Sequence, residues 1–344
     1  MEEGGERGKK RERHGDFFRA MREITYAEAL REALLEEMRS DERVIVMGED
    51  IGVYEGVFKV TKGLLKEFGE ERVRDTPISE NAIAGAGLGA AIAGLKPVVE
   101  IMYMDFINEA ADQIVNHVPK VHFMSGGKLK VPLVIRTQFS LGRSTGAQHS
   151  QMMASLFMNT PGFHIAVPST PYDAKGLLKA AIRGEDPVLF IECGQLYSTK
   201  GSVPDEDYTV PFGKADVKRE GSDVSIVGIS NMVLKALSAA EILKKEHGIS
   251  AEVLDPRTLC PLDRGALMST LKKTGRVVTV EPAPKTAGVG AEISATLMEE
   301  GFDWLDAPVL RVACPDTPAP FSPPLQDAYV PDEKKIVDAV RRIV

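Results

Sequence analysis

Residues 72–102 read RVRDTPISENAIAGAGLGAAIAGLKPVVEIM, and this stretch decides the fold class. It predicts a short strand over Arg72–Asp75, a helix of small residues over Glu80–Gly94 and a strand over Pro97–Met102. A strand, a helix and a second strand in this order form a parallel pair, because the helix returns the chain to the same end of the sheet. The stretch therefore predicts an α/β fold.

The same alternation continues on both sides of this stretch. Upstream, Thr25 and Glu28 have the spacing of a capping box before a helix, and Arg43–Met47 has the pattern of a buried strand. Downstream, continuous apolar strands alternate with helices, which predicts parallel sheets covered on both faces. The predicted downstream helices that matter below are Asp105–Val118, Pro171–Arg183 and Met232–His247.

This pattern divides the chain into two α/β domains. We place the domains at 20–204 and 216–344, with a linker at 205–215 and a disordered extension at 1–19. The linker prediction rests on the stretch Gly201–Pro211, which is rich in acids and contains two prolines. The extension is predicted to be disordered because it mixes both signs of charge without apolar periodicity.

Composition excludes several classes of protein. The chain has 344 residues, of which 43% are hydrophobic, and its formal net charge is −8. This charge argues against nucleic-acid binding, which needs basic surface, and no apolar run reaches the roughly 18 residues of a membrane span. The three cysteines are too few and too scattered for a disulfide framework or a zinc site, which predicts a reducing, cytoplasmic location.

The run Gly85–Ala90 has the form G-x-G-x-x-A of a dinucleotide-binding turn, and Glu100 follows near the distance of the acid that holds a ribose hydroxyl. Such a turn needs a strand that leads directly into its first glycine. Here Asn81–Ala84 already has a helical pattern. We therefore interpret the small residues as a helix surface that the backbone of another helix can approach closely.

Two polar residues stand out near the ends of predicted strands. Glu80 begins the small-residue helix, either as a first-turn acid that stabilises the helix after the cap Ser79 or as a functional carboxylate. His149 lies in a polar loop that contains glycine, which is a common place for functional side chains. From the residues alone, both interpretations stay open at each position.

Seven segments, taken together, carry a family resemblance: Met47–Gly52, Gly56–Phe58, Asp75–Glu80, Glu100–Phe106, Ala147–Ser150, Pro168–Leu177 and Leu310–Val312. In order and spacing they resemble the β subunit of the E1 component of thiamine-diphosphate-dependent 2-oxo acid dehydrogenase complexes. The resemblance implies a pyrimidine-binding parallel-sheet domain followed by a transketolase C-terminal-type α/β domain. It implies decarboxylation of a 2-oxo acid and transfer of the acyl group to a lipoylated E2 protein, and it favours the pyruvate or acetoin branch.

The resemblance also implies roles for individual residues. Glu80 matches the glutamate that hydrogen-bonds N1′ of the cofactor's aminopyrimidine, and Phe106 matches the aromatic residue that packs on this ring. His149 matches the histidine of acyl transfer to the lipoyl group, and Glu49 matches an acid near the cofactor. A potassium site built from backbone carbonyls is implied as well, at Leu133, Ala181, Ile182, Gly184 and Asp186.

The sequence contains no Gly-Asp-Gly motif, which holds Mg²⁺ and the diphosphate in thiamine diphosphate enzymes. The resemblance therefore implies an α subunit that supplies this half of the site, in an α₂β₂ heterotetramer that works with an E2 core. Two alternatives stay open. One is half of a split transketolase-like enzyme that acts on a sugar phosphate without E2. The other is a scaffold without catalysis, which the presence of Glu80, Phe106 and His149 together disfavours.

Overall fold

The computed structural model describes residues 21–344, so the predicted extension at 1–19 lies outside the described residues. The strands are β1 (Met21–Thr25), β2 (Val44–Gly48), β3 (Val73–Asp75), β4 (Lys96–Ile101), β5 (Val134–Phe139), β6 (His164–Ala166), β7 (Val188–Cys193), β8 (Lys200–Pro204), β9 (Asp216–Arg219), β10 (Val224–Gly228), β11 (Ala251–Asp255), β12 (Thr258–Cys260), β13 (Val277–Pro284) and β14 (Leu310–Cys314). The α-helices are α1 (Tyr26–Ser40), α2 (Leu64–Phe68), α3 (Glu80–Ile92), α4 (Val121–Met124), α5 (Ala154–Met158), α6 (Pro171–Arg183), α7 (Met232–His247), α8 (Arg264–Thr274), α9 (Val289–Gly301), α10 (Pro323–Tyr329) and α11 (Glu333–Val340).

The larger sheet has seven strands in the order β12-β6-β7-β5-β4-β2-β3. Its strands are parallel except for β12, which pairs antiparallel with β6 at one edge. Every residue of β2, β5 and β7 is buried, as expected for strands covered on both faces. The predicted parallel α/β sheet is confirmed.

The smaller sheet has five strands in the order β14-β13-β10-β11-β9, with β9 antiparallel at the edge. The helix α7 has the predicted bounds, and it ends at Gly248, whose positive φ of 71° suits glycine. The strand β12 comes from this half of the chain but extends the larger sheet, so the two halves share a sheet edge. No helix within residues 21–344 combines the length and the apolar character that a bilayer span requires.

Sequence reasoning missed the ribbon that β1 and β8 form. Part of the stretch assigned to linker-like sequence, from Gly201, belongs to β8, which pairs antiparallel with β1 in the register Thr25 to Lys200 through Met21 to Pro204. Most side chains of both strands lie at least partly in solvent, so neither strand has a run of apolar residues that would reveal it. The ribbon precedes α1, whose capping box at Thr25 and Glu28 is present as predicted.

The prediction of one α-helix over Asp105–Val118 is wrong. The chain forms a 3₁₀ helix over Met104–Ala110 and then a π-helix over Asp112–His117. The buried residues Met104, Ile107 and Ala110 recur at a spacing of three, which matches the 3.0 residues per turn of a 3₁₀ helix. Because a spacing of three also fits one face of an α-helix, the apolar pattern alone does not distinguish the two windings.

The small residues of α3 allow the helix to lie close to the sheet. A Cβ atom on Gly87 would lie 2.7 Å from Cγ1 of Val99 in β4 and 3.0 Å from Cδ1 of Leu133, which would force the helix away from the sheet. Gly85 lies in the second turn of the helix and not between a strand and a helix. The tight packing at Gly87 is therefore against the sheet and not against another helix, and the helix lacks the turn that dinucleotide binding requires.

Candidate active site

Acidic and aromatic side chains converge at the carboxyl ends of the parallel strands of the larger sheet. Glu49 directly follows β2, Glu80 begins α3 after β3, and Glu100 lies near the end of β4. Crevices outside the carboxyl ends of parallel strands are where open α/β sheets bind ligands. This edge of the sheet is therefore the candidate active site.

Glu49 and Glu80 form the acidic side of the crevice. Glu80 is only 8% exposed, and Oε1 of Glu49 is buried without a hydrogen-bond partner among the described residues. Burial raises the pKa of Glu49 above its usual value, and the neighbouring charge of Glu80 adds to the shift. Gly48 brings Glu49 close to β4, because a Cβ at this position would lie 2.8 Å from the carbonyl oxygen of Glu100.

A buried arginine lies beneath these acids, and sequence reasoning missed it. Arg136, 2% exposed, donates from Nη1 to Glu100 Oε2 at 2.6 Å. It also donates from Nε and Nη2 to the two carboxylate oxygens of Glu192, at 2.7 and 3.0 Å. The hydroxyl of Tyr197 donates to the same carboxylate at 2.7 Å. The available signal was one charged residue inside each of the apolar strands β4, β5 and β7. The sequence does not show that these three residues pair with one another.

His149 lies against an aromatic wall on the other side of the crevice. Its ring makes edge-to-face contacts with Tyr103 and Phe106, with centroid distances of 5.1 and 5.3 Å. Behind Tyr103, Phe58 continues the wall with a centroid distance of 6.1 Å. Edge-to-face packing fixes the plane of the imidazole, so two sides of the ring are already in contact with protein.

Hydroxyl groups hold the loop that carries His149. Thr145 Oγ1 donates to the carbonyl oxygen of His149 at 3.0 Å, and Ser150 Oγ donates to the carbonyl oxygen of Gly146 at 2.7 Å. Ser150 is 2% exposed, so this turn is buried at its base although His149 itself is half-buried. The four predicted residues therefore lie at one sheet edge, Glu49 with Glu80 and Phe106 with His149.

The five predicted potassium ligands lie elsewhere, around the C-terminus of α6 and the start of β5. Their carbonyls already accept hydrogen bonds in part: Lys96 Nζ donates to Ile182 at 3.1 Å, Val188 N–H to Leu133 at 2.9 Å and Gly184 N–H to Ala181 at 3.3 Å. The ammonium group of Lys96 thus supplies a positive charge at this helix terminus. Because each carbonyl oxygen keeps a second lone pair, the potassium site stays a prediction.

The residues present fit the aminopyrimidine ring that the resemblance implies. The unpartnered oxygen of Glu49 needs a donor, and Glu80 offers a second buried carboxylate beside it. The ring of Phe106 supplies an aromatic surface in the helix that packs against α3. Among residues 21–344, no group of three or more His, Cys, Asp or Glu side chains is arranged to hold a metal ion.

Comparisons with known proteins agree with this fold. The pyrimidine-binding domain of transketolase matches residues 22–200, and the C-terminal domain of transketolase matches residues 213–336. The chain is 45% identical over 335 residues to the β subunit of acetoin:2,6-dichlorophenolindophenol oxidoreductase from Bacillus subtilis (strain 168), covering 94% of this chain and 98% of the relative. It is 44% identical over 325 residues to the β subunit of the pyruvate dehydrogenase E1 component of the same organism, covering 94% and 99%.

A solved structure extends the likeness to three dimensions. The chain superimposes on a chain described as split gene transketolase, inactive beta4 tetramer, with a TM-score of 0.76 and 26% sequence identity. The superposition covers 93% of this chain and 98% of the other. The whole length of the described fold, and not one domain alone, therefore has a counterpart.

Proposed function

Because the chain belongs to the transketolase-like family of E1 β subunits of 2-oxo acid dehydrogenases, we propose that it acts on pyruvate or acetoin in a thiamine-diphosphate-dependent E1 enzyme. In this proposal the enzyme decarboxylates pyruvate or cleaves acetoin and transfers the acyl group to a lipoylated E2 protein. One observation carries the proposal: a buried carboxylate oxygen of Glu49 lacks a partner in the crevice that also holds Glu80, Phe106 and His149. Such a site is complete only when a ligand with hydrogen-bond donors enters it.

Each of these side chains has a task in this proposal. Glu80 donates a hydrogen bond to N1′ of the aminopyrimidine when its carboxyl group is protonated and accepts one after the proton has passed to N1′, an exchange that a carboxyl group can make and an amide cannot. Phe106 packs on the pyrimidine ring, and His149 donates a proton during acyl transfer to the lipoyl group. Thiamine diphosphate, when bound, supplies the electron sink that decarboxylation needs.

The other half of the site belongs to a second chain in this proposal. The absence of Gly-Asp-Gly from the sequence assigns Mg²⁺ and diphosphate binding to an α subunit, in an α₂β₂ heterotetramer. The potassium ion, where present, would occupy the carbonyls around Ala181 and Gly184. The three cysteines are unpaired, which supports a location in the reducing cytoplasm.

A split transketolase-like enzyme is the second candidate, supported by the structural match at 26% identity. Such an enzyme would act on a sugar phosphate and would not acylate a lipoyl group. The identities of 44–45% to E1 β subunits favour the dehydrogenase.

Reconstitution tests the proposed function. The chain is co-expressed with an α subunit that contains the Gly-Asp-Gly motif. Turnover of pyruvate, acetoin and branched-chain 2-oxo acids is then measured, first with an artificial electron acceptor and then with a lipoylated E2 domain. We expect activity only with both chains, Mg²⁺ and thiamine diphosphate. Turnover by the isolated chain contradicts the shared site, and turnover of a sugar phosphate without lipoyl acylation favours the split transketolase.

A further inference from the structure

The 3₁₀ helix Met104–Ala110 contacts residues 151–153, which directly follow the His149 loop. Asp105 Oδ1 accepts hydrogen bonds from the backbone N–H of Gln151 at 3.2 Å and from its side-chain Nε2 at 2.9 Å. Two weaker contacts follow at Met153, whose N–H approaches the sulfur of Met104 at 3.4 Å and whose own sulfur lies 3.6 Å from Asn108 Nδ2. These contacts tie the helix to segment 151–153.

Asp105 is an unusual residue for a purely structural bond. Its side chain is 8% exposed, and Oδ2 is buried without a hydrogen-bond partner among residues 21–344. An asparagine could accept the same two bonds through its amide oxygen without the cost of burying a charge. What the carboxylate adds is bond strength, because hydrogen bonds to an ionised acceptor are about twice as strong as neutral ones.

The same helix also touches His149 directly. Phe106 packs edge-to-face on the imidazole of His149. Its neighbour Asp105 accepts a hydrogen bond from Gln151, which lies two residues after His149 in the chain. On the other side, Thr145 binds the carbonyl oxygen of His149. The imidazole is therefore in contact with Phe106, and the backbone that carries it is held by Thr145 and by the bond between Asp105 and Gln151.

We propose that Asp105 is a positioning residue that holds the His149 loop in place through Gln151. The imidazole then stays against Phe106 and Tyr103, in the orientation in which it transfers a proton. Its consequence for catalysis rests on the proposed function, in which His149 serves acyl transfer. Loss of this anchor frees the loop, so the ring becomes more exposed and is less often in its working orientation.

Chemical modification tests the positioning without any catalytic assay. The full-length chain is treated with diethyl pyrocarbonate, and mass spectrometry follows carbethoxylation of His149 relative to the exposed His247 in the same sample. For Asp105→Ala we expect a rise in relative rate of about tenfold, as for loss of a hydrogen bond to a charged group. Asp105→Asn keeps the acceptor and should stay within about threefold of the wild type.

Asp112→Asn is the matched control, since Asp112 is an exposed carboxylate on the next helix that bonds Asn116 and His117. Its modification rate should equal that of the wild type. An unchanged rate in folded Asp105→Ala overturns the proposal. If this variant does not fold, Gln151→Ala replaces it, because it removes the 2.9 Å bond and keeps the backbone bond. A rise of about threefold supports the proposal and no rise overturns it.

The reconstituted enzyme supplies the second readout. Asp105→Ala should lower lipoyl acylation about tenfold and change turnover with an artificial acceptor less than about threefold, and Asp105→Asn should restore most of the acylation. Equal losses in both assays indicate a general structural role and overturn the proposal. If His149→Ala leaves acylation intact while Asp105→Ala still exposes the ring, the role of His149 in catalysis fails and the positioning by Asp105 stands.

Discussion

Two ionic clusters in this chain differ in charge balance. We call them the edge cluster (Glu49, Glu80, Glu100, Arg136 and Glu192) and the junction cluster (Ser169, Asp173, Lys218, Asp255 and Arg257). In the junction cluster, two fully buried carboxylates, Asp173 and Asp255, meet two cations, and one of these cations, Lys218, also pairs with the more exposed Asp216 at 2.6 Å. The edge cluster has four carboxylates and one guanidinium group, and this group pairs with only two of them, Glu100 and Glu192.

The junction cluster joins the two halves of the chain. Lys218 Nζ lies 2.6 Å from Asp173 Oδ2 and 3.8 Å from Asp255 Oδ2, and Arg257 Nη1 lies 3.2 Å from Asp173 Oδ1. Ser169 donates to Asp255, as does the backbone N–H of Arg257 at 2.8 Å. Nearly every charge has a partner, so this cluster needs nothing from outside the chain.

The edge cluster differs because it has more carboxylates than cations, and two of these carboxylates have no cationic partner within residues 21–344. Arg136 satisfies Glu100 and Glu192, and the upper acids, Glu49 and Glu80, have no cation of their own among the described residues. Burial of unpaired carboxylates is costly unless one holds a proton or a ligand donates to them. In this chain, the cluster with paired charges joins the two halves, and the cluster with surplus carboxylates lies at the candidate active site.

The strongest change that we predict is a loss of turnover when an acid of the edge cluster is replaced. Glu80→Gln should lower turnover of the reconstituted enzyme about 10²- to 10⁴-fold, because an amide cannot exchange a proton. The free energy of unfolding of the chain should not fall, because the substitution removes a surplus charge. Steady-state kinetics and urea unfolding measure the two quantities.

A surface substitution controls for loss of charge alone. The side chain of Glu71 is 93% exposed and, among residues 21–344, pairs with Arg74 alone, so Glu71→Gln should change neither turnover nor the free energy of unfolding. Near-normal turnover of Glu80→Gln would remove the assigned role of this carboxyl group and with it the functional meaning of the imbalance.

The next effect is on stability. Arg136→Met should lower the free energy of unfolding by about 3–5 kcal/mol, because it leaves Glu100 and Glu192 buried without a counter-charge. Urea unfolding followed by circular dichroism measures this loss. Adding Glu192→Gln to this variant should recover part of the lost stability. A loss below about 1 kcal/mol in Arg136→Met alone would mean that Arg136 does not neutralise Glu100 and Glu192 in the folded chain.

The junction cluster should tolerate the loss of one cation better than the edge cluster does. Lys218→Met removes one of two cations, and Arg257 remains to face Asp173, so we expect a loss of about 2–3 kcal/mol in urea unfolding. The exposed pair Lys200–Glu23 gives the control, and Lys200→Met should cost less than about 0.5 kcal/mol. A loss from Lys218→Met larger than that from Arg136→Met would reverse the comparison.

Sequence patterns could predict much of the fold where local signals are strong. The helix α6 has the predicted bounds because Thr170 caps it, Pro171 begins it and Gly184 follows its end. The pattern failed over Asp105–Val118, because the same apolar spacing fits an α-helix and the observed 3₁₀ and π windings. It also missed β12, a three-residue strand that exists only because β6 lies beside it.

The candidate site divides in the same way. Glu80 and His149 were singled out because each lies next to a predicted strand, and their assigned roles come from the family resemblance and stay predictions. Arg136 and Glu192 were missed because their meaning depends on a pairing across 56 positions of sequence. Asp105 lay inside a predicted helix, and nothing in the sequence connects it with Gln151.

The smallest expected effect concerns the proton balance of the junction cluster. Burial, with the charge of Asp173 second, raises the pKa of Asp255 to about 7 from its ordinary value of 3.8. Because the folded state of this carboxyl group binds more protons than the unfolded state between these values, its contribution to stability is lost as the pH rises through this window. The free energy of unfolding should therefore fall by about 1 kcal/mol between pH 6 and pH 7 on account of Asp255.

Asp255→Asn isolates this contribution, since the amide stays neutral at every pH and its oxygen can still accept the backbone N–H of Arg257. Burial also raises the pKa of Glu281 to about 7, so the wild-type slope contains a second group of the same sign. The informative quantity is the difference in slope between wild type and variant, from urea midpoints at pH 6 and pH 7. Equal slopes would mean that Lys218 and Arg257 keep Asp255 ionised throughout, and the junction cluster would then be balanced by fixed charges alone and not by a proton.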